Sequence, residues 1–265
     1  MKYFFYICIV CFIPMAMAQD DALLMINGSY QSLLDDYGSS GEKNNLSANM
    51  IDYSRIKNDD RLLKLTHHIQ NYPKERLNSQ AKKLAFYLNA YNILSIAMVA
   101  KHWPITKLKS LGTLLKPVWT HSVGAVCGEQ MTLRKLEHEI LGKLGNPKIH
   151  FALNCASMSC PDLRLEPYLA ESIEEQLENQ TTIFMSQKGK GVFIKGEGKV
   201  KLSPIFDWFS EDFDVVGGVN EFVQPYLPEQ GRPWEIVGYL NYDWSVNWHL
   251  TRSEKLKINR RKKKN

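Results

Sequence analysis

Cysteine is scarce in this chain of 265 residues: there are five, and Cys8 and Cys11 fall within the first dozen positions. The other three, Cys127, Cys155 and Cys160, are far too few to build a disulfide scaffold. Their odd number leaves at least one thiol unpaired unless it bonds to another chain. Internal repeats and long Pro/Gly/Ser linkers are also missing, which leaves a single domain as the expected organisation. Charge imbalance is small as well. The net +5 is more than accounted for by Lys255, Lys257, Arg260, Arg261, Lys262, Lys263 and Lys264, so the body of the chain is close to neutral. That argues against a nucleic-acid partner. The tail could touch anionic lipid, cell-wall polymer or nucleic acid, but a frayed, solvated terminus is the plainer reading. Apolar content of 44% and charged content of 23% are ordinary globular values.

The N-terminus carries the first positive feature. Lys2 supplies a charge, Tyr3 to Met17 is nearly unbroken apolar sequence, and Ala16-Met17-Ala18 precedes the polar Gln19-Asp20-Asp21. This order predicts a cleavable signal peptide over residues 1–18, hence an exported protein that is periplasmic or secreted. The run of about 15 apolar residues falls short of the roughly 20 that span hydrocarbon. No cysteine follows the small residues, which argues against a lipoprotein. No later segment is read as membrane-spanning, so the mature protein is expected to lie outside the bilayer.

Hydrophobic periodicity places helices over residues 62–71, 79–101, 133–144 and 167–187. Asp36 to Ser47 reads as a loop. Residues 119–131 read as a hairpin turning at Cys127-Gly128-Glu129-Gln130, and Thr132 as the N-cap of the next helix. Pro147 to Asn154 reads as a short buried strand that ends at Cys155. A second hairpin is expected around Gly196-Glu197-Gly198, a helix from Ser203-Pro204 through Phe213, and a last strand over 235–242. The expected fold class is α+β: one domain with a central, mainly antiparallel sheet packed by helices.

Reactive groups concentrate between Ile149 and Pro161. A thiol where a strand ends is presented to substrate by a rigid scaffold, and it becomes a nucleophile when a base or positive field stabilises its thiolate. His150 is the candidate base, although a regular strand would place positions 150 and 155 on opposite faces. Three other readings remain open at this stage. Cys155 and Cys160 could close a disulfide, His150 could join them as zinc ligands although a fourth ligand is missing, or Cys155 could be a buried apolar filler. Asn89 and Asn92, among aromatic residues of the main helix, must be hydrogen-bonded if buried. Together with Asn154 and Ser157, which flank the thiol, they are the expected supporting residues. Glu137 and His138 share a short helix but as neighbours face different ways. The segment Tyr242 to Trp248 is read as core packing, with a sugar-binding surface as the alternative. Asp207, Glu211 and Asp212 are read as a solvated helix face.

Four motifs occur in the order seen in DUF547, a family named for a domain of unknown function. They are Leu84 to Asn92, Leu133 to Leu141 with Glu137-His138, His150 to Pro161, and Leu202 to Phe213. The closing Tyr242 to Asn247 also resembles that family's ending. The resemblance covers roughly residues 75–250, leaving 19–74 as an N-terminal helical extension and 251–265 as a basic tail. DUF547 is associated with papain-like and transglutaminase-like thiol enzymes, and that resemblance implies a papain-like fold and a triad. Cys155, His150 and Glu137 are the matching residue types. The order departs from papain-like enzymes, in which the thiol precedes the histidine strand. The expected function is a cysteine-dependent hydrolase or acyl transferase acting on peptide or amide bonds of an envelope peptide or polymer. Backbone N–H groups of Ala156 to Ser159 would hold the oxyanion, and neither cofactor nor metal is called for. The alternative is a non-enzymatic envelope binding module stapled by Cys155–Cys160.

Overall fold

The computed structural model describes residues 15–196, 198–228 and 233–262, with side chains over the described residues from 21 to 261. The signal-peptide expectation, with Cys8 and Cys11, lies outside the described residues except for the backbone of 15–18, which begins the first helix. In chain order come α1 (Met15–Tyr37), β1 (Gly38–Lys43), β2 (Leu46–Ile51), α2 (Tyr53–Ile56), α3 (Asp60–Gln70) and α4 (Gln80–His102). Next are β3 (Ser122–Val126), β4 (Glu129–Thr132), a π-helical stretch over Lys135–Leu141, α5 (Ile149–Ala152) and α6 (Ile173–Ser186). The chain closes with β5 (Val192–Gly196), β6 (Lys199–Leu202), α7 (Ile205–Trp208) and a 3₁₀ segment over Ser210–Val216. After these come α8 (Val219–Val223), β7 (Glu235–Tyr239) and α9 (Arg252–Lys262).

The class is α+β with mainly antiparallel pairing. The strands are distributed over three small sheets, β1–β2, β3–β4 and β5–β6–β7, with β6 and β7 parallel. Helix α4 occupies the centre. Ser79 caps it by accepting the Lys82 N–H at 3.2 Å, and nearly every side chain from Leu84 to Ala100 is buried. A helix that is apolar all round belongs inside a core or a bilayer. Contrary to the sequence reading, α4 is long and apolar enough to cross a membrane, and 89% of its apolar window is buried inside the protein.

Two apolar clusters meet beside α4. The larger joins α1, α3 and α4 to Val126, Leu133, Leu136, Ile149 and Ala152. The smaller is rich in phenylalanine, gathering Phe151, Phe184, Phe206, Phe213 and Phe222. Helix α5 is wedged between them: Ile149 and Ala152 pack into the first, while Phe151 lies 5.2 Å from Phe184 and 5.5 Å from Phe206 in the second. This corrects the expected strand over 147–154. The segment is buried on every side, so a period of two cannot be told from a helical turn. Asn146 decides the matter locally by accepting the Lys148 N–H at 3.0 Å, and the turn closes through Pro147 O and Lys148 O.

Other differences have equally local causes. The segment read as a loop over 36–47 contributes to the β1–β2 hairpin, because Asn44 and Asn45 both adopt positive φ and turn the chain tightly. Cys127 and Gly128 do the same between β3 and β4, as read. Helix α6 starts only at Ile173. The helix expected through Phe213 breaks after Trp208 and continues as 3₁₀ turns. Residues 252–262 of the basic tail are helical, anchored where Trp103 Nε1 donates to Glu254 Oε1 at 2.5 Å.

Because Phe151 pins α5 into the second cluster, Phe151→Ala should cost about 3–5 kcal/mol in urea unfolding. A loss below about 1 kcal/mol would contradict this packing.

Candidate functional site

Loop 153–161 runs through the interior, and its backbone polar groups are satisfied largely by side chains. Asn92, on α4, uses both ends of its amide: Nδ2 donates to Ala152 O at 3.0 Å and Oδ1 accepts the Asn154 N–H at 2.9 Å. Asn154 bridges the loop internally, accepting the Ala156 N–H at 2.9 Å and donating to Pro161 O at 2.7 Å. This holds Ala156 at φ 59°, an uncommon conformation for a residue with a side chain. The segment 243–247 then closes over the loop. Met158 N–H donates to Ser245 O, Asn247 N–H to Ala156 O and Asp243 N–H to Ser159 Oγ. Asn89 makes the same double contact elsewhere, to Tyr168 O and the Tyr168 N–H, and so fixes the approach to α6 rather than the thiol loop. A buried ion pair of Lys190 and Asp162 secures the far end of the loop.

Cys155 and Cys160 stand side by side as free thiols in this structure. The Cys155 N–H donates to Cys160 Sγ at 2.8 Å. Cys155 Sγ lies 3.4 Å from Ser157 Oγ and 3.5 Å from Tyr242 Oη, and the Ser157 backbone N–H also points to it. The Cys160 thiol beside it, helped by Ser157 and Tyr242, outweighs burial and brings Cys155 down to about 7. Cys160 moves the opposite way: burial pushes it well above the ordinary thiol range, and Cys155 adds to the effect. Burial and the same thiols keep the Tyr242 hydroxyl protonated.

His150 does not pair with Cys155. Its Nε2 hydrogen-bonds Asp212 Oδ2 at 2.8 Å, and its Nδ1 faces Glu137 Oε1 at 3.8 Å, too far for a hydrogen bond. The ring is buried and stacks on Phe209 at 4.1 Å. Burial alone would depress its pKa, but the two carboxylates more than compensate and raise it above the ordinary imidazole value. Asp212 is correspondingly lowered, first by His150. The π-helical geometry over 135–141 alters the neighbour rule: Glu137 and His138 both line the site, with His138 5.4 Å from Phe209.

These groups share one cavity of about 440 Å³. It brings together Cys155, Cys160, His150, His138, Glu137 and Arg134 under an aromatic wall of Trp119, Trp208, Tyr242 and Trp244. Trp208 and Trp244 stack at 5.5 Å, and Tyr242 and Trp244 approach to 4.4 Å. Ser157 touches the thiol, Asn92 and Asn154 hold its loop, and Asn89 stands apart. Sequence reasoning missed Asp212 and Trp208 as site residues, and read Tyr242 and Trp244 as core with a binding surface as the alternative. The expected oxyanion amides are largely engaged. Ala156, Met158 and Ser159 donate within the fold, and the Ser157 N–H serves the sulfur. Among the described residues no group of three or more His, Cys, Asp or Glu is placed to hold a metal.

Residues 75–185 match the model of a family described as a protein of unknown function, DUF547. The match takes in α4, the Glu137 turn and the thiol loop, while Asp212 and Tyr242 lie beyond it. No curated protein and no solved structure matches the chain.

Removing the Asp212 charge should lower the His150 pKa, read by NMR titration of the imidazole in Asp212→Asn; an unchanged titration would overturn the pairing. The stability that the pair contributes is present above the Asp212 range and below the ordinary His value of about 6.5. It fades as pH rises through the raised His150 pKa, and as pH falls through the lowered Asp212 pKa. The melting difference between wild type and Asp212→Asn should therefore be greatest near pH 5–6.

Proposed function

We propose that the cavity is a thiol active site for hydrolysis or transfer of acyl groups from peptide or amide bonds, in an exported protein of the cell envelope. The observation that carries this reading is the surroundings of Cys155 Sγ, with Cys160 beside it, Ser157 Oγ at 3.4 Å and Tyr242 Oη at 3.5 Å, which bring its pKa down to about 7. Export is supported by the N-terminal order of charge, apolar run and Ala16-Met17-Ala18. The competing reading is a non-enzymatic envelope binding module stapled by a Cys155–Cys160 bridge, which mass spectrometry of the non-reduced native protein distinguishes by finding that pair quantitatively oxidised.

The division of labour differs from a directly bonded thiol–imidazole pair. With its pKa brought down to about 7 by its surroundings, Cys155 reaches the thiolate near neutral pH without a direct bond to His150. Cys155 thiolate attacks the carbonyl carbon of an amide held in the cavity and forms a C–S bond. The C–N bond breaks as His150, whose pKa Asp212 and Glu137 raise, gives its proton to the departing amine. Neutral His150 then accepts a proton from water or from an acceptor amine attacking the thioester, which restores thiolate and imidazolium. The Tyr242 hydroxyl, kept protonated, stands beside the sulfur where charge develops on the carbonyl oxygen.

Iodoacetamide alkylation followed by mass spectrometry of native protein tests the reading. Cys155 should react with a midpoint near pH 7, and Cys160 only under denaturing conditions. An inert Cys155 in folded, reduced protein would remove the nucleophile. Turnover of amide substrates should vanish in Cys155→Ala, and in wild type it should decline at high pH as His150 loses its proton.

A further inference from the structure

Single exposed leucines carry little information, but Leu114 and Leu115 stand side by side at a loop tip, each 96% exposed. The loop that presents them is closed at its neck. The Thr113 N–H donates to Lys116 O at 2.9 Å, and the Lys116 N–H donates back to Thr113 Oγ1 at 3.0 Å. A Cβ on Gly112 would lie 2.3 Å from the Val118 nitrogen and 2.8 Å from the Pro117 carbonyl carbon, so only glycine lets the two arms touch. The tip is thus a built projection whose apolar ends meet no other part of the protein.

Its surroundings are cationic. No Asp or Glu occurs between Glu75 and Glu129, whereas Lys107, Lys109 and Lys116 are exposed along the arms of the loop. Asp59 and Asp60 line the adjoining groove, and Asp59 is neutralised by Arg61. The arms are also tied to the cavity wall. Lys107 bridges to Ser245, Lys109 Nζ sits 4.5 Å from the Trp244 ring centroid, and Trp119 lies 5.7 Å from Trp244.

We propose that Leu114 and Leu115 form a docking tip for an anionic lipid surface, entering the acyl boundary while the three lysines meet headgroup phosphates. Two side chains are a small fraction of the roughly 800 Å² per partner that a stable protein interface covers, whereas an apolar point with a basic collar suits a bilayer interface. The inference stands whichever chemistry the cavity performs. Its geometric consequence is that Trp119 and Trp244, and with them the cavity wall, are held beside the membrane plane.

Hydrogen–deuterium exchange on the full chain, in the form recovered from cells, tests this with vesicles of phosphatidylglycerol and phosphatidylcholine against phosphatidylcholine alone. Exchange over residues 107–120 should slow roughly tenfold on the anionic vesicles and much less on the neutral ones. The Leu114→Asp/Leu115→Asp variant should lose this protection while melting like wild type, since neither side chain packs in the fold. Equal protection in the variant overturns the proposal. So does vesicle binding with no protection of 107–120, which would give the contact to the apolar N-terminus or the basic C-terminal helix. Protection that grows with protein concentration in the absence of lipid overturns it in favour of a second copy.

Discussion

A stretch of backbone buried between two apolar clusters has few places to send its N–H and C=O groups except to side chains brought in to meet them. That constraint organises this protein. Asn92 reaches from the central helix to take both a carbonyl and an amide of the segment leading to Cys155, and Asn154 repeats the contact one step further on. An apolar residue at either position would leave buried partners unmet, at about 1–3 kcal/mol for each orphaned group. The left-handed Ala156, the placement of Ser157 against the sulfur and the seat for the 243–247 segment all follow from that grip.

Electrostatics then separates groups of similar type. Two thiols side by side diverge, Cys155 downward and Cys160 upward, because one proton shared between them serves the neighbour of the sulfur that lacks it. His150 is buried, which works against its charge, yet two carboxylates hold that charge in place. The cavity thus lowers the pKa of a sulfur and raises that of an imidazole without direct contact between the two. The aromatic wall supplies the low-polarity surroundings in which such charges act strongly.

Much of the scaffold was legible from residue patterns. Helix α4, the Cys127-Gly128 turn and the α+β class follow from periodicity and turn chemistry. The segment Ile149 to Leu153 was not legible, because a short run buried on all sides has no polar face to reveal its period. The loop expected over 36–47 concealed a hairpin, since its polar composition masks an Asn44-Asn45 turn. Cys155, His150 and Glu137 were found as residue types, and they do line one cavity. The partner of His150 was missed: Asp212 looks like surface sequence, and only the break of the helix after Trp208 turns it inward. Tyr242 and Trp244 read as core in the sequence because aromatic residues usually are. The Asn146-Pro147 pair was an available signal for the helical turn at α5.

The contacts that complete the thiol loop come from remote parts of the chain. Lys43 Nζ donates to the carbonyls of Val246 and Trp248, and Tyr53 Oη donates to Asn247 Oδ1, across 203, 205 and 194 residues of sequence. Loops of that length close late in folding, because their entropy must be overcome before the contact rewards it. The 243–247 segment, and the Tyr242 hydroxyl it carries to the sulfur, therefore arrive only when the chain is almost finished. Until then Cys155 lacks part of the donor set that acidifies it and remains nearer an ordinary, weakly ionised thiol. Chain closure thus ties the surroundings of the Cys155 sulfur to the longest-range contacts of the fold.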